Sequence, residues 1–344
     1  MTRTSFADAG MGEETEASLA AASSPVERAR SRAVARQIVR KAGSALVVLW
    51  GAATVAFFAQ LALPGDRATV ILNIRAGQAQ LRTPAELAPI RAEFGLDRPL
   101  IVQYLDYLRG LIAGDFGNSY QQFRPVTAII GEQLGATIAL SLTAILFAWL
   151  LMVIWVTLTA GRGPRLTAFG SLADVVVAGL PAYWLGILLL LVFALGLRWF
   201  PVLGGSGPEG LVLPALTLAI PLAGFMSQST RVEFERALEQ PFVLTARMRG
   251  MGDWGVRISH VLRHAALPAI TLSGWALGAT ISGAVIVESI FSRPGIGSVL
   301  VAAVNAQDLP VVTGNVTLVA VFYVVVNLLV DVVHTLVDPR LVQS

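Results

Sequence analysis

Cysteine is absent from the 344 residues, which excludes disulfides and thiolate-bound metal and leaves the redox compartment open. Lysine occurs once, at Lys41, and all other basic side chains are arginine. The three histidines, His260, His264 and His334, are too few and too scattered for a metal centre. Charged residues make up only 14% of the chain, against about 25% in an average soluble domain. Hydrophobic residues reach 55%, and the mean hydropathy is +0.69. A soluble protein this apolar could not cover its surface with polar groups, so the surplus must face lipid. The net charge of +3 comes from arginines beside apolar blocks, with no free-standing basic domain, which speaks against nucleic-acid binding. Enzyme devices are missing too. There is no GxxxxGK[ST] phosphate loop, no HExxH pair and no GxSxG elbow. Gly204-Gly205-Ser206-Gly207 reads as a turn, and Asp331 has no second aspartate to make a protease pair.

What is present is a set of long apolar blocks, near 42–63, 137–160, 172–197, 211–230, 269–290 and 314–337. Each is long enough for a helix to span a bilayer, which needs about 20 residues. The predicted fold class is therefore all-α, a polytopic membrane protein with six transmembrane helices. Pro214 and Pro221 interrupt the fourth block, where a re-entrant segment is the competing reading. Residues 1–35 hold no apolar run and are expected to form a disordered cytoplasmic tail. A cleaved signal with a long basic region is the alternative there. Arginines follow the second block (Arg162, Arg165) and the fourth (Arg231, Arg236, Arg247, Arg249, Arg257, Arg263), whereas Arg198 and Arg293 stand alone after the third and fifth. The excess of positive charge places the even loops and both termini in the cytoplasm. The long segment 64–136 then lies outside. Thr83-Pro84-Ala85-Glu86 carries a capping-box pattern, and Val102, Leu105, Leu108 and Leu111 recur at helix-like spacing, so a small helical cap is expected.

The loop 231–268 holds the most specific pattern. Pro241 suits a first helical turn, Gly250 and Gly252 suit a helix end followed by a reversal, and Asp253 suits the cap of a second helix running to Pro268. A short helix with basic residues and exposed Phe242, Met248 and Met251 fits a partner's groove. It equally fits an interfacial helix lying on lipid headgroups. Glu288 and Asp331 are read as the acidic groups in or near the spans. Glu288 is placed at an outer helix end that water reaches, and Asp331 at an inner end beside His334.

Thr245-Ala246-Arg247-Met248-Arg249-Gly250, then His260-Val261-Leu262-Arg263-His264-Ala265-Ala266-Leu267-Pro268, resembles the docking loop of binding-protein-dependent ABC importer permeases. The wider chain, from about residue 36 onward, is similar to the first permease subunit of dipeptide, oligopeptide and nickel uptake systems. Leu63-Pro64-Gly65-Asp66, Gly95-Leu96-Asp97-Arg98-Pro99, Gln103-Tyr104-Leu105, Gly114-Asp115-Phe116-Gly117, Val287 to Gly297 and Asp338-Pro339-Arg340-Leu341 match that family in order. Leu244 departs from it, since a charged or polar residue is usual there, as does His264, where asparagine is commoner.

The resemblance implies a subunit that binds no nucleotide and has no catalytic residue, cofactor or metal of its own. Two ATPase subunits, or one fused, would hold ATP and Mg. A second homologous permease would complete the path, and an extracytoplasmic solute-binding protein would dock on the 64–136 segment, unless that segment only braces the partner permease. ATPase docking would fall on Phe242, Thr245, Ala246, Arg247, Arg249, Gly250, Met251, Gly252 and Asp253. Glu288, Ser289 and Asp331 are the candidates for the path or gate, with a structural contact to the following Ser-Arg-Pro-Gly loop an equal reading for Glu288. The implied cargo is a dipeptide, oligopeptide, glutathione, nickel chelate or related solute, moved by alternating access across a bacterial inner membrane. An exporter of another cargo and a secondary transporter are the alternatives.

Overall fold

The computed structural model describes residues 25–62, 65–202 and 207–337, with side chains for Arg36 and from Val39 to Leu329 outside those breaks. The expected turn at 204–206, the Leu63-Pro64 step, residues 1–24 of the expected tail and the Asp338–Leu341 match lie outside the described residues. Over 25–35 the expectation of disorder is corrected, because that stretch continues the first helix.

Helices run in the order α1 (Pro25–Ala62), α2 (Arg67–Ala76), α3 (Pro84–Glu93), α4 (Leu100–Ala113) and α5 (Val126–Thr159). They continue with α6 (Pro164–Ala178), α7 (Ala182–Leu189, prolonged by a π-helical stretch Leu190–Gly196) and α8 (Glu209–Leu238). Next come α9 (Pro241–Met248), α10 (Asp253–Val256), a π-helical turn Arg257–Val261 and α11 (Leu262–Ala265). The chain ends through α12 (Leu267–Ile290), α13 (Ile296–Asn305) and α14 (Leu309–Val337). Among the described residues the only β pairing is an isolated bridge between Asn118 and Pro125.

Five of these helices (α1, α5, α8, α12 and α14) are each long and apolar enough to cross a membrane. The third expected span is instead two helices, α6 and α7, bent by 98° about the Gly179–Pro181 break. Pro181 explains it, since proline disfavours helical backbone in the residue before it. Packing decides whether the bent pair crosses. Leu140 and Ala144 of α5 share a cluster with Leu213, Ala215 and Leu218 of α8. Further along, Met152, Val156 and Ala160 share one with Leu222, Met226, Phe234 and Ala237. Residue numbers rise together, so α5 and α8 are parallel and end on one face. The connection α6–α7 must return the chain to the opposite face, which makes it a broken span and the total six crossings. The fourth span is continuous despite Pro214 and Pro221, and no re-entrant segment interrupts it.

The two faces differ. On one, which we call the cap face, α2 and α3 pack through Ala68, Ile71, Leu87 and Ile90. Glu86 accepts from the Thr83 backbone N–H at 2.7 Å and its hydroxyl at 2.8 Å, as the capping pattern predicts. Tyrosines of α4 seat it on α1. The Tyr104 and Thr54 hydroxyls are 2.7 Å apart, and the Phe57 ring centroid lies 5.3 Å from Tyr104 and 5.4 Å from Tyr107. The cap is shorter than expected, because α5 begins at Val126 rather than near 137. α13, on this same face, was not anticipated. On the other, loop face stand α9, α10 and the end of α5.

Tyr120 joins the cap to the start of α14. Burial pushes its phenol up from 10.0 to about 12, with Arg67 opposing and Asp308 assisting. The folded cap thus favours the neutral phenol, and this contribution is complete below pH 10 and lost as pH rises through about 12. Ultraviolet titration of the detergent-solubilised protein should show a late phenolate phase that shrinks in Tyr120→Phe. An unchanged late phase would assign it to another tyrosine.

Candidate docking site and buried clusters

On the loop face α9 is an eight-residue helix with Pro241 in its first turn. Its inward side is Val243 and Ala246, packed with Phe234 and Ala237 of α8 and with Val256, Val261 and Ala265. Its outward side carries Leu244 at 63% and Met248 at 79% exposure, with Thr245, Arg247 and Arg249 beside them. Met251, Trp254 and Ile258 extend this apolar surface past the turn. Gly250 closes the helix in the left-handed region at φ 81°, where its N–H donates to Arg247 O at 2.9 Å and the Met251 N–H to Ala246 O at 3.2 Å. A side chain there would meet open space but a strained backbone, so glycine is required for conformation alone.

Three expectations need correction. Ala246 faces the core rather than a partner. Phe242 is half-buried, its ring centroid 4.9 Å from that of His264. Asp253 does not cap the second helix. Gly252 holds that position, and Asp253, one residue further on, gathers arginines. Its carboxylate accepts from Arg257 Nε at 2.8 Å and from Arg247 Nη2 at 3.2 Å, and lies 3.5 Å from Arg162 Nη2. Arg162 in turn lies over the Trp254 ring, 4.4 Å from its centroid. Arg257 is 3% exposed and donates from Nη1 to Ala160 O at 2.7 Å and Thr157 O at 3.3 Å, and from Nη2 to Gly161 O at 3.3 Å.

The path candidates fare differently. Glu288 is fully buried, which corrects the expectation that water reaches it. Its carboxylate accepts from the Thr137 hydroxyl at 2.5 Å, Gly297 N–H at 2.8 Å and Ser298 N–H at 3.1 Å, so it ties α5 and α12 to the start of α13. Ser289 is exposed, its hydroxyl turned back onto Val285 O at 2.9 Å. The Asp331 and His334 side chains lie outside the described ones.

Reading Glu288 and Asp331 as the acidic residues of the spans passed over Asp174, although it stands inside the third apolar block. Asp174 is 1% exposed and pairs at 2.7 Å with Arg231 of α8, itself 5% exposed. Trp155 Nε1 donates to the same carboxylate at 2.7 Å, and Arg231 Nη1 to the Thr159 hydroxyl at 2.9 Å. Asp308 was also missed. It accepts from the Ser119 hydroxyl at 2.5 Å and the Tyr120 N–H at 3.0 Å, fastening the cap loop to α14.

Six crossings, a folded cap on one face and a protruding short helix on the other define a multi-pass membrane protein. The chain belongs to the family of binding-protein-dependent transport system inner membrane components, whose model matches residues 156–343, with the model of that family's N-terminal part matching 34–141. It is 33% identical over 312 residues to a putative peptide transport system permease protein of Brucella suis, covering 88% of this chain and 98% of that protein. It is 34% identical over 280 residues to the glutathione transport system permease protein of Salmonella typhimurium, covering 81% and 90% respectively. It is thus a permease subunit of the ATP-binding-cassette importer kind.

Proposed function

We propose that this chain forms one half of the membrane path of an importer for peptides or glutathione-like solutes, with α9 as the knob that seats an ATP-hydrolysing partner. The observation that carries the proposal is the outward face of α9, where Leu244 and Met248, with Met251 just past the turn, are exposed among arginines on a short helix braced from behind. Apolar side chains rimmed by basic groups suit a groove on a protein partner. The loop face is then cytoplasmic, along with both termini, in keeping with its arginines. The path is completed by a second, similar permease, two ATPase subunits or a fused pair hold ATP and Mg, and the cap receives a solute-binding protein. Of the expected docking residues, Thr245, Arg247, Arg249 and Met251 meet the partner, joined by the exposed Leu244 and Met248, whereas Gly250 and Asp253 shape the knob. In this mechanism ATP-driven approach of the ATPases moves α9, and the spans re-open to alternate faces.

The test is co-purification from membranes of the native chain and of Gly250→Asp. The native chain should bring down ATPase subunits and hydrolyse ATP with them. The variant should lose at least tenfold of either the retained ATPase or the coupled hydrolysis. A native chain that comes down alone, with uptake driven by an ion gradient, would replace this reading with a secondary transporter.

A further inference from the structure

Resting on that reading, we infer that Arg257 is the positioning residue through which movement of the knob reaches the spans. Four observations converge on its guanidinium. It is buried although it carries a fixed charge, a placement that needs full pairing to persist. Its Nη1 and Nη2 bond to the Thr157, Ala160 and Gly161 carbonyls. These belong to the last turn of α5 and the residues just after it, where unpaired carbonyls and the helix dipole favour a cation. Its Nε bonds to Asp253, and Asp253 holds Arg247 of the knob itself. Its Cζ also lies 5.7 Å from the Phe234 ring centroid of α8. One planar group therefore touches the knob's turn, the end of α5 and the side of α8.

The fork geometry matters beyond the charge. A guanidinium presents donors in several fixed directions, whereas an ammonium is a point charge on a flexible stem. Lysine at 257 keeps the cation at the α5 terminus but cannot hold Asp253 and three carbonyls together in one plane. Asp253, at 41% side-chain exposure, is a gentler place to open the same link, since Asp253→Asn leaves the buried cation on its carbonyls. Both substitutions slacken the knob against α5 without replacing a side chain of the outward face of α9, Asp253→Asn also easing the hold on Arg247 there.

The experiment uses the whole complex, with both permeases, the ATPase subunits and the binding protein, reconstituted in lipid vesicles. It compares native, Arg257→Lys and Asp253→Asn chains. Both variants should retain the ATPase subunits within twofold of native on purification. Both should lose solute-stimulated ATP hydrolysis and uptake, by about tenfold for Arg257→Lys and by severalfold for Asp253→Asn, while basal hydrolysis persists. Retained ATPases with native stimulation in both variants would overturn the inference and leave the docking proposal intact. Loss of the ATPases from Asp253→Asn would overturn it also, by making the cluster part of the docking surface. Should Arg257→Lys fail to assemble, Asp253→Asn alone decides between these outcomes. A native chain that never retains ATPases defeats the docking proposal itself, a result distinguishable from either.

Discussion

Arg231→Met should destabilise the protein by about 3–5 kcal/mol, because it strands the Asp174 carboxylate in the protein interior with only the Trp155 N–H donating to it. The reverse deletion, Asp174→Leu, should cost a similar amount by leaving the guanidinium against Thr159 alone. The double variant is the informative one. Replacing a buried ion pair by apolar groups of similar volume is often neutral or better, so Asp174→Leu with Arg231→Met should recover most of either loss. The surroundings are tight, since a Cβ on Gly170 would come within 2.8 Å of both terminal nitrogens of Arg231. Denaturation of the four proteins in detergent, followed by intrinsic fluorescence, reads the cycle. A single variant within about 1 kcal/mol of native would mean that the pair is screened by lipid-face water and holds nothing.

Glu288→Ala should cost a comparable amount by a different route. It leaves the Thr137 hydroxyl and the Gly297 and Ser298 amides without their acceptor, and an orphaned buried donor costs roughly 1–3 kcal/mol. Glu288→Gln should cost less, because one oxygen remains for the amides. The neighbouring glycines are part of the same construction. A Cβ on Gly295 would overlap the Glu288 carboxylate, and one on Gly297 would strike the Val285 backbone, which has no flexible end to yield. Gly297→Ala should therefore resemble Glu288→Ala in its melting behaviour and open the 291–308 segment to proteolysis. If Glu288→Ala abolished uptake yet melted like the native protein, the carboxylate would belong to the path after all.

Much of the fold was written in local chemistry. The apolar blocks, the Thr83–Glu86 cap, the Pro241 start and the Gly250 reversal each depend on neighbours in sequence, and each appears where the residues require it. The errors lie where partners are distant. Asp174 and Arg231 meet across 57 positions, and Arg257 meets Ala160 across 97, so neither pairing leaves a periodic trace. The inward turn of Ala246 follows from how α8 and the 256–265 helices enclose α9, which loop composition does not encode. The break in the third span was legible in Pro181 and was overlooked because hydropathy stayed high across it. Glu288 was weighed evenly between a loop contact and a substrate contact, and only its three donors, two of them nine and ten residues ahead, favour the first.

α5 has a consequence of its own. Its 34 residues run roughly 51 Å at 1.5 Å per residue, against a hydrocarbon core of about 30 Å. It starts beside the cap, where the Val126 N–H donates to Gly117 O, and ends under the Arg257 fork, with no proline or break between. Such a helix behaves as a lever. Pivoting by about 5° at one end, a rod of this length sweeps the other through roughly 4 Å. Under the proposed function, a load from a protein docked on the cap and one from α9 would therefore act on one stiff body, summing as opposing torques rather than passing along a relay. By reciprocity, a tighter grip on the cap would then change how strongly a nucleotide-driven partner on the loop face must push.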